Sequence, residues 1–225
     1  YIAAYGRKAS DSEADGHVST LQSGGMTRAA RESFLDGILN APEHSKLLYE
    51  RAVADMLNNA DSVAIQQQID AFEGLIDQPQ YAPFKPELQL ELDRMYALQS
   101  ADEDFIAGDI TFKELEQRII LNRLYDDINM GTLNFVISVF EHLLDRQPTE
   151  SELERGINMC DGQQEVIFLE DGASKQDFMD ILHASTDYHT ETTKRQFGRL
   201  LFRSPTAEEL TTLSEAFASS GDFRA

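Results

Sequence analysis

The chain has 225 residues and a formal net charge of −21. This charge argues against binding to nucleic acid or to an anionic membrane surface, and it favours basic partners or divalent cations. Hydrophobic residues make up 41% of the chain, enough to bury a core, and the single cysteine, Cys160, excludes an intrachain disulfide and a thiolate metal cluster. No apolar run approaches ~18 residues, so the sequence predicts no membrane span.

Helical periodicity dominates the sequence, and alternating β-branched runs are almost absent, which predicts an all-α fold. The predicted helices cover residues 10–23, 27–40, 45–58, 62–77, 86–100, 111–128, 132–145, 149–160, 174–184, 190–202 and 206–219. Residues 166–169 are predicted to be a short extended segment. The acidic runs at residues 102–104 and 170–171 are predicted to be solvated loops.

One pattern occurs three times, at residues 1–13, 140–152 and 197–209, and we call these the first, second and third corners. An aromatic residue is followed by Arg six residues later, then by Ser or Thr, and then by Glu three residues after that. The hydroxyl and Glu have the spacing of a capping box, worth ~1 kcal/mol for each helix start. The Arg is expected to lie at the end of the preceding helix, where the helix dipole favours a cation. The alternative for this Arg is anion binding. The residues concerned are Arg7, Ser10 and Glu13, Arg146, Thr149 and Glu152, and Arg203, Thr206 and Glu209.

A second half follows two of the corners. Phe34 begins FLDGILNAPEH and Phe178 begins FMDILHASTDY, whereas the third copy stops at Ala225 before a second half appears. The chain also opens inside the first copy, so we expect a segment of a longer or processed polypeptide. The predicted architecture is a stack of helix-turn-helix repeat modules, two complete or nearly complete and one truncated. The first repeat covers 1–60, a helical connecting segment 61–131, and the second repeat with the start of the third 132–225.

Two sets of residues are candidates for binding a metal ion. Asp11, Glu13 and Asp15 imitate the opening of an EF-hand calcium loop, although Gln22 stands where a bidentate Glu is needed. His183, Asp187 and His189 would form a site only if the fold brings them together. For each histidine, a place in the core or in a loop is the simpler interpretation. GxSxG, P-loop and GxGxxG motifs are absent, so no catalytic residue and no cofactor is predicted.

Residues 1–44 resemble a helical repeat module of unassigned function from secreted and surface proteins of bacteria. The resemblance rests on a Gly-Arg corner at Gly6 and Arg7, on Gly24, on a Thr-Arg cap at 27–28, and on Phe34 and Glu43. The same pattern is similar to the linker domains that organise phycobilisome rods. The stretch DDINMGTLNFVISVFEHLLDRQPTESEL is similar to uncharacterised cell-envelope proteins and lipoproteins of Bacteroidota-type bacteria. The resemblance implies a helical architecture outside the cytoplasm and carries no catalytic residues.

These observations favour a non-catalytic scaffold or interaction subunit of a bacterial cell-envelope or surface assembly. Its partners would be other proteins of that assembly, and it would lie in the periplasm, the outer membrane or at the cell surface. One alternative is an enzyme whose metal site is assembled from distant His and Asp residues. The other is a calcium-stabilised segment of an adhesin.

Overall fold

The computed structural model describes residues 1–222, which are helical apart from one small hairpin. The helices are α1 (Ile2–Tyr5), α2 (Asp11–Ser23), α3 (Arg28–Leu39), α4 (Pro42–Met56), α5 (Ser62–Ile76), α6 (Lys85–Gln99), α7 (Ala101–Ala107), α8 (Phe112–Ile120), α9 (Arg123–Ile128), α10 (Thr132–Leu144), α11 (Glu150–Cys160), α12 (Lys175–Ala184), α13 (Thr186–Leu201) and α14 (Ala207–Ser220). A 3₁₀ turn covers Pro79–Phe84, and the strands are β1 (Glu165–Ile167) and β2 (Glu170–Gly172). The predicted all-α class is confirmed.

Side chains that cap the helix N-termini set most of the helix starts. A Ser, Thr, Asp or Asn oxygen accepts the backbone N–H three residues later, which satisfies a donor that the helix leaves free. These caps are Ser10, Thr27, Asp61, Thr111, Asn122, Thr149, Ser174, Ser185 and Thr206. Helix α4 begins instead with Pro42 in its first turn. Pro42 and Ser185 therefore start α4 and α13 earlier than the predicted positions 45 and 190.

The middle of the chain differs from the prediction in two places. The single helix predicted over 111–128 is wrong, because Asn122 ends α8 and starts α9. Its side chain donates to the carbonyl oxygens of Arg118 and Ile119, at 2.8 and 2.6 Å, and accepts from the N–H of Tyr125 at 3.1 Å. The loop predicted at 102–104 is also wrong, because these residues form the first turn of α7. Acidic side chains stabilise that turn, since the helix N-terminus is the positive end of its dipole.

The predicted extended segment at 166–169 is confirmed for Val166 and Ile167 alone, which lie in β1 of a two-stranded antiparallel hairpin where Val166 pairs with Asp171. Phe168 and Leu169 form the turn with φ values of +54° and +71°, the left-handed geometry that joins two adjacent strands tightly. The loop predicted at 170–171 is therefore wrong, because both residues belong to β2. Asp171 pairs through its backbone, which leaves the carboxylate in solvent.

A single hydrophobic core runs from Leu48 in α4 to Phe217 in α14. Met95 and Ile119 contribute to it from the middle of the chain, and Phe140 contributes from α10. Helix α4 packs on α7 and α8, and α10 packs on α11 and α13. The three predicted segments therefore share one core.

Candidate functional site

Each of the three corners is closed by an arginine–glutamate pair. The two terminal nitrogens of the Arg donate to the two carboxylate oxygens of the Glu at 2.6–2.9 Å. The Arg also donates to the carbonyl oxygen of the residue that follows it. The pairs are Arg7–Glu13, Arg146–Glu152 and Arg203–Glu209, and a capping box is present at each. The sequence analysis expected each Arg to interact with the dipole of the preceding helix. In the structure each Arg also pairs directly with the Glu, because a planar guanidinium matches a carboxylate edge to edge.

An aromatic ring lies beside each of these arginines. The distance from the guanidinium carbon to the ring centroid is 5.4 Å for Arg7 and Tyr1, 5.1 Å for Arg146 and Phe140, and 5.1 Å for Arg203 and Phe197. The residue before each Arg adopts a left-handed conformation, with φ of +70°, +50° and +54° at Gly6, Asp145 and Phe202. The corners therefore share geometry as well as sequence. That each corner belongs to a larger repeated module stays a prediction.

The corners differ in whether the Arg holds a second carboxylate. In the first corner, Nε of Arg7 donates to Glu43 at 2.5 Å. In the second, Arg146 donates to Asp187 at 2.9 Å. In the third, Arg203 pairs with Glu209 alone among the described residues.

The corner pairs change the acidity of their carboxyl groups. Hydrogen bonds from Arg146 lower the pKa of Glu152 to about 2, and hydrogen bonds from Arg203 lower the pKa of Glu209 to about 2. Hydrogen bonds from Arg7 also lower the pKa of Glu13 well below its ordinary value. All three carboxylates stay ionised across the physiological range, which keeps the ion pairs formed.

A largely apolar groove with a volume of about 480 Å³ lies between the first and third corners. Helices α1 and α3 form one wall, with Tyr1, Leu35 and Ile38. Helices α13 and α14 form the other, with Phe197, Leu201 and Leu213.

The groove is open to solvent. The exposed fractions of Leu35, Leu201 and Leu213 are 51%, 53% and 43%. In the wall formed by α13 and α14, Oε1 of Gln196 is buried and lacks a hydrogen-bond partner within residues 1–222. An apolar surface grouped in a concave place is typical of a binding site. This groove is therefore the candidate functional site.

The fold places the rings of His183 and His189 against Tyr188, with centroids 4.7 and 5.6 Å from its ring, but does not bring them together with Asp187 as a group of three ligands. Nε2 of His183 faces Glu116 at 3.2 Å, and Asp187 accepts from Arg146. The ring of His189 also packs against Phe217, with the ring centroids 5.5 Å apart. Across residues 1–222, no three His, Cys, Asp or Glu side chains are arranged to hold a metal ion.

The calcium candidate lies in the first turns of α2 rather than in a loop. Both carboxylate oxygens of Glu13 accept from Arg7, and one also accepts from Ser10. Glu13 thus stabilises the start of the helix, while Asp11 and Asp15 are exposed side chains of α2.

His183 belongs to a buried polar cluster. The hydroxyl of Tyr188 donates to Oε2 of Glu116 at 2.5 Å, and His183 lies 3.2 Å from the same oxygen. All three residues have an exposed fraction of 0%. Burial, and then the charge of Glu116, raises the pKa of Tyr188 well above its ordinary value. Because solvent does not reach these atoms, the cluster joins α8 to α12 and α13 inside the core.

The sequence analysis missed both Glu116 and the groove. Glu116 had a signal, because it lies four residues after Phe112 and three before Ile119, in the apolar face of α8. A Glu in the middle of such a face needs a buried partner. The groove had a weaker signal, since its walls come from opposite ends of the chain. Leu213 stands at the place in its corner that Gly156 occupies in the second corner.

No helix within residues 1–222 combines the length and the apolar character needed to cross a membrane. No protein-family model, no curated protein and no solved structure matches this chain.

Proposed function

We propose that this chain is a non-catalytic interaction subunit that holds a partner protein in the groove between its first and third corners. The single observation that carries the proposal is the grouping of exposed leucines on both walls of one concave surface. Apolar surface of this kind favours association, since burying it releases about 25 cal/mol for each Å².

The buried polar cluster and the corner arginines have structural roles. Glu116, His183 and Tyr188 are buried together, and the Arg side chains of the corners bind carboxylates. The proposed setting is a bacterial cell-envelope or surface assembly, which the resemblance of residues 1–44 supports. There the net charge of −21 keeps the subunit soluble.

A matched pair of variants tests the proposal. Leu35→Asp places a charge in the groove, and Leu90→Asp places the same charge on α6, where Leu90 is equally exposed at 51%. We expect the tagged wild-type chain and Leu90→Asp to copurify with one stoichiometric partner from the envelope fraction of the source cells. We expect Leu35→Asp to lose that partner.

Two outcomes would contradict the proposal. One is a partner that both variants retain equally, since the groove would then be irrelevant to association. The other is stoichiometric, tightly bound zinc or iron in the purified chain, which would favour the metal-enzyme alternative.

A further inference from the structure

We propose that the groove between the first and third corners binds an amphipathic helix of a second protein. This helix is of the same type as α12 of this chain and lies against the wall formed by α13 and α14. Such a helix has a Phe and an apolar residue four positions later. A carboxylate nine positions after the Phe lies in the first turn of the next helix, as Asp187 does in α13. This inference rests on the proposed function, because it names the binding element of the partner.

The two helices that the second corner joins, α10 and α11, show how a helix of this type is held. Phe178 of α12 inserts between Phe135 and Phe140 of α10, with ring centroids 6.3 and 6.1 Å apart. Gly156 of α11 leaves the space for this ring, since a Cβ there would lie 3.1 Å from Phe178 and 2.9 Å from Val136. The exposed fraction of Phe178 is 0%. Phe178 therefore fills the second corner.

The same positions of the third corner line the groove. Arg203 follows Arg146 by 57 residues. Adding 57 to the number of each residue that surrounds Phe178 therefore gives its counterpart in α13 or α14. The counterparts of Phe135, Val136, Phe140 and Gly156 are Thr192, Thr193, Phe197 and Leu213, and all four of these counterparts line the groove. Of these four counterparts, Leu213 is 43% exposed, whereas Thr192, Thr193 and Phe197 are at most 8% exposed. The place that Phe178 fills in the second corner is therefore open to solvent on its Leu213 side.

The first corner also has a Phe from a following helix, although this Phe is only half-buried. Phe34 of α3 packs on His17 of α2, with ring centroids 4.9 Å apart, and His17 stands where the second corner has Gly156. Tyr1, the counterpart of Phe140, lies 5.4 Å from the same His17 ring. At two corners, therefore, a Phe from a following helix packs at this place, fully buried in the second corner and half-buried at the edge of the groove in the first.

Charge complementarity supplies the second, independent argument. Glu43 follows Phe34 by nine residues, and Asp187 follows Phe178 by nine residues. These are the two carboxylates that join Arg7 and Arg146 as their second partners. Arg203 has the same geometry with Glu209 and the same ring beneath it, and lacks a second carboxylate within residues 1–222. A segment that seats the Phe of its first helix in the groove brings the carboxylate at the start of its next helix to Arg203.

A second copy of this chain is a poorer occupant. Its two helices of this type are already bound in its own corners, since Phe178 is fully buried and Phe34 packs on His17. Releasing α12 would expose the core around Phe178, and releasing α3 would expose its buried Ile38. A separate protein with a free helix has no such requirement.

The probe for the test is a fluorescein-labelled synthetic peptide with the sequence of residues 174–190, titrated with the full chain while anisotropy is recorded. We expect saturable binding that Leu213→Asp weakens at least about tenfold, as expected for a charge at the centre of an apolar contact. The control Leu90→Asp leaves binding unchanged. A peptide carrying Phe178→Ala weakens binding by a similar factor.

A double-mutant cycle tests the ion pair. The peptide change Asp187→Asn is expected to weaken binding to the wild-type chain about two- to fivefold, the range of an exposed ion pair. The same peptide change has no further effect on a chain that carries Arg203→Gln. Circular dichroism checks that both chain variants keep their helical content.

The inference is overturned if the peptide fails to bind, or if it binds Leu213→Asp and the wild-type chain equally. It is also overturned if sedimentation shows a dimer that Leu213→Asp abolishes, because the occupant is then a second copy. The same holds if a longer form of this polypeptide no longer binds the peptide, because the occupant is then a segment of the same chain. A partner that is lost with Leu35→Asp, combined with no peptide binding, leaves the proposed function standing and removes only this helix motif. If Leu35→Asp keeps the partner and the peptide also fails to bind, both the proposed function and this inference are overturned.

Discussion

The second and third corners have the same arginine, glutamate and aromatic ring in the same arrangement, yet they bury different amounts of surface. Leu144 in the second corner is 4% exposed, and its counterpart Leu201 in the third is 53% exposed. Gly156 is buried under Phe178, whereas its counterpart Leu213 is 43% exposed. The corner motif therefore sets the direction of the chain, while the helix that follows decides whether the corner is closed.

The largest expected difference comes from the side chain that fills the second corner. Phe178→Ala should lower the free energy of unfolding by about 3–5 kcal/mol, because it leaves a cavity among three helices. Leu201→Ala in the open third corner should cost less than about 1 kcal/mol, because half of that side chain is already in solvent. Urea unfolding followed by circular dichroism measures both. Equal costs would show that the two corners are packed alike.

Exchanging residues between the corners sharpens the comparison. Gly156→Leu should cost about 1–3 kcal/mol, since its Cβ meets Val136 and Phe178 at close range. The reverse exchange, Leu213→Gly, should cost about 1 kcal/mol, mainly through lower helix propensity. Thermal unfolding distinguishes the two. A tolerated leucine at 156 would mean that α12 does not fill its corner tightly.

Substitution of Arg146 or Arg203 should change the free energy of unfolding by a smaller amount. Arg146→Met removes a partner from Glu152 and Asp187, and we expect a loss of about 1 kcal/mol, limited by partial solvent screening. Arg203→Met removes a single exposed pair, so the loss should be smaller than for Arg146→Met. Denaturant unfolding at low and high salt checks the order. A larger loss for Arg203→Met would contradict the account of the second carboxylate.

The smallest expected effect is the pH dependence of the corner glutamates. Because the folded pKa of Glu152 is lowered to about 2, its stabilisation is complete above its ordinary value of 4.5 and is lost as pH falls from there through about 2. The direction is the same for Glu209, and salt should weaken the exposed Glu209 pair more. Carboxyl chemical shifts recorded across pH 1.5–6 test this, and a midpoint near 4.5 for Glu152 would contradict the ion pair.

The sequence predicted the features that depend on neighbouring residues. The capping boxes follow from a hydroxyl and a Glu three residues apart, and the structure has them at Ser10, Thr149 and Thr206. The break at Asn122 was missed because the apolar periodicity continues on both sides of it. Asn is a preferred helix cap, but whether it caps here depends on hydrogen bonds that the sequence does not show. The turn at Phe168 and Leu169 was missed because neither residue is a usual left-handed one.

Features that depend on distant residues were beyond the sequence pattern. The second carboxylates Glu43 and Asp187 lie 36 and 41 residues after their arginines, and nothing local links them. The groove joins α1 and α3 to α13 and α14, so its existence depends on how the whole core packs. The one local signal of the groove was the third corner. It has apolar residues at Phe197 and Leu201, and no helix with a Phe follows α14 within residues 1–222.

The most direct test of the central claim is a methyl NMR titration of the full chain, labelled at leucine, with the unlabelled peptide of residues 174–190. The account predicts that the resonances of Leu201 and Leu213 shift together while that of Leu90 stays in place, and that the Phe178→Ala peptide moves none of them. Unchanged Leu201 and Leu213 resonances at saturating peptide, or shifts confined to other leucines, would contradict it.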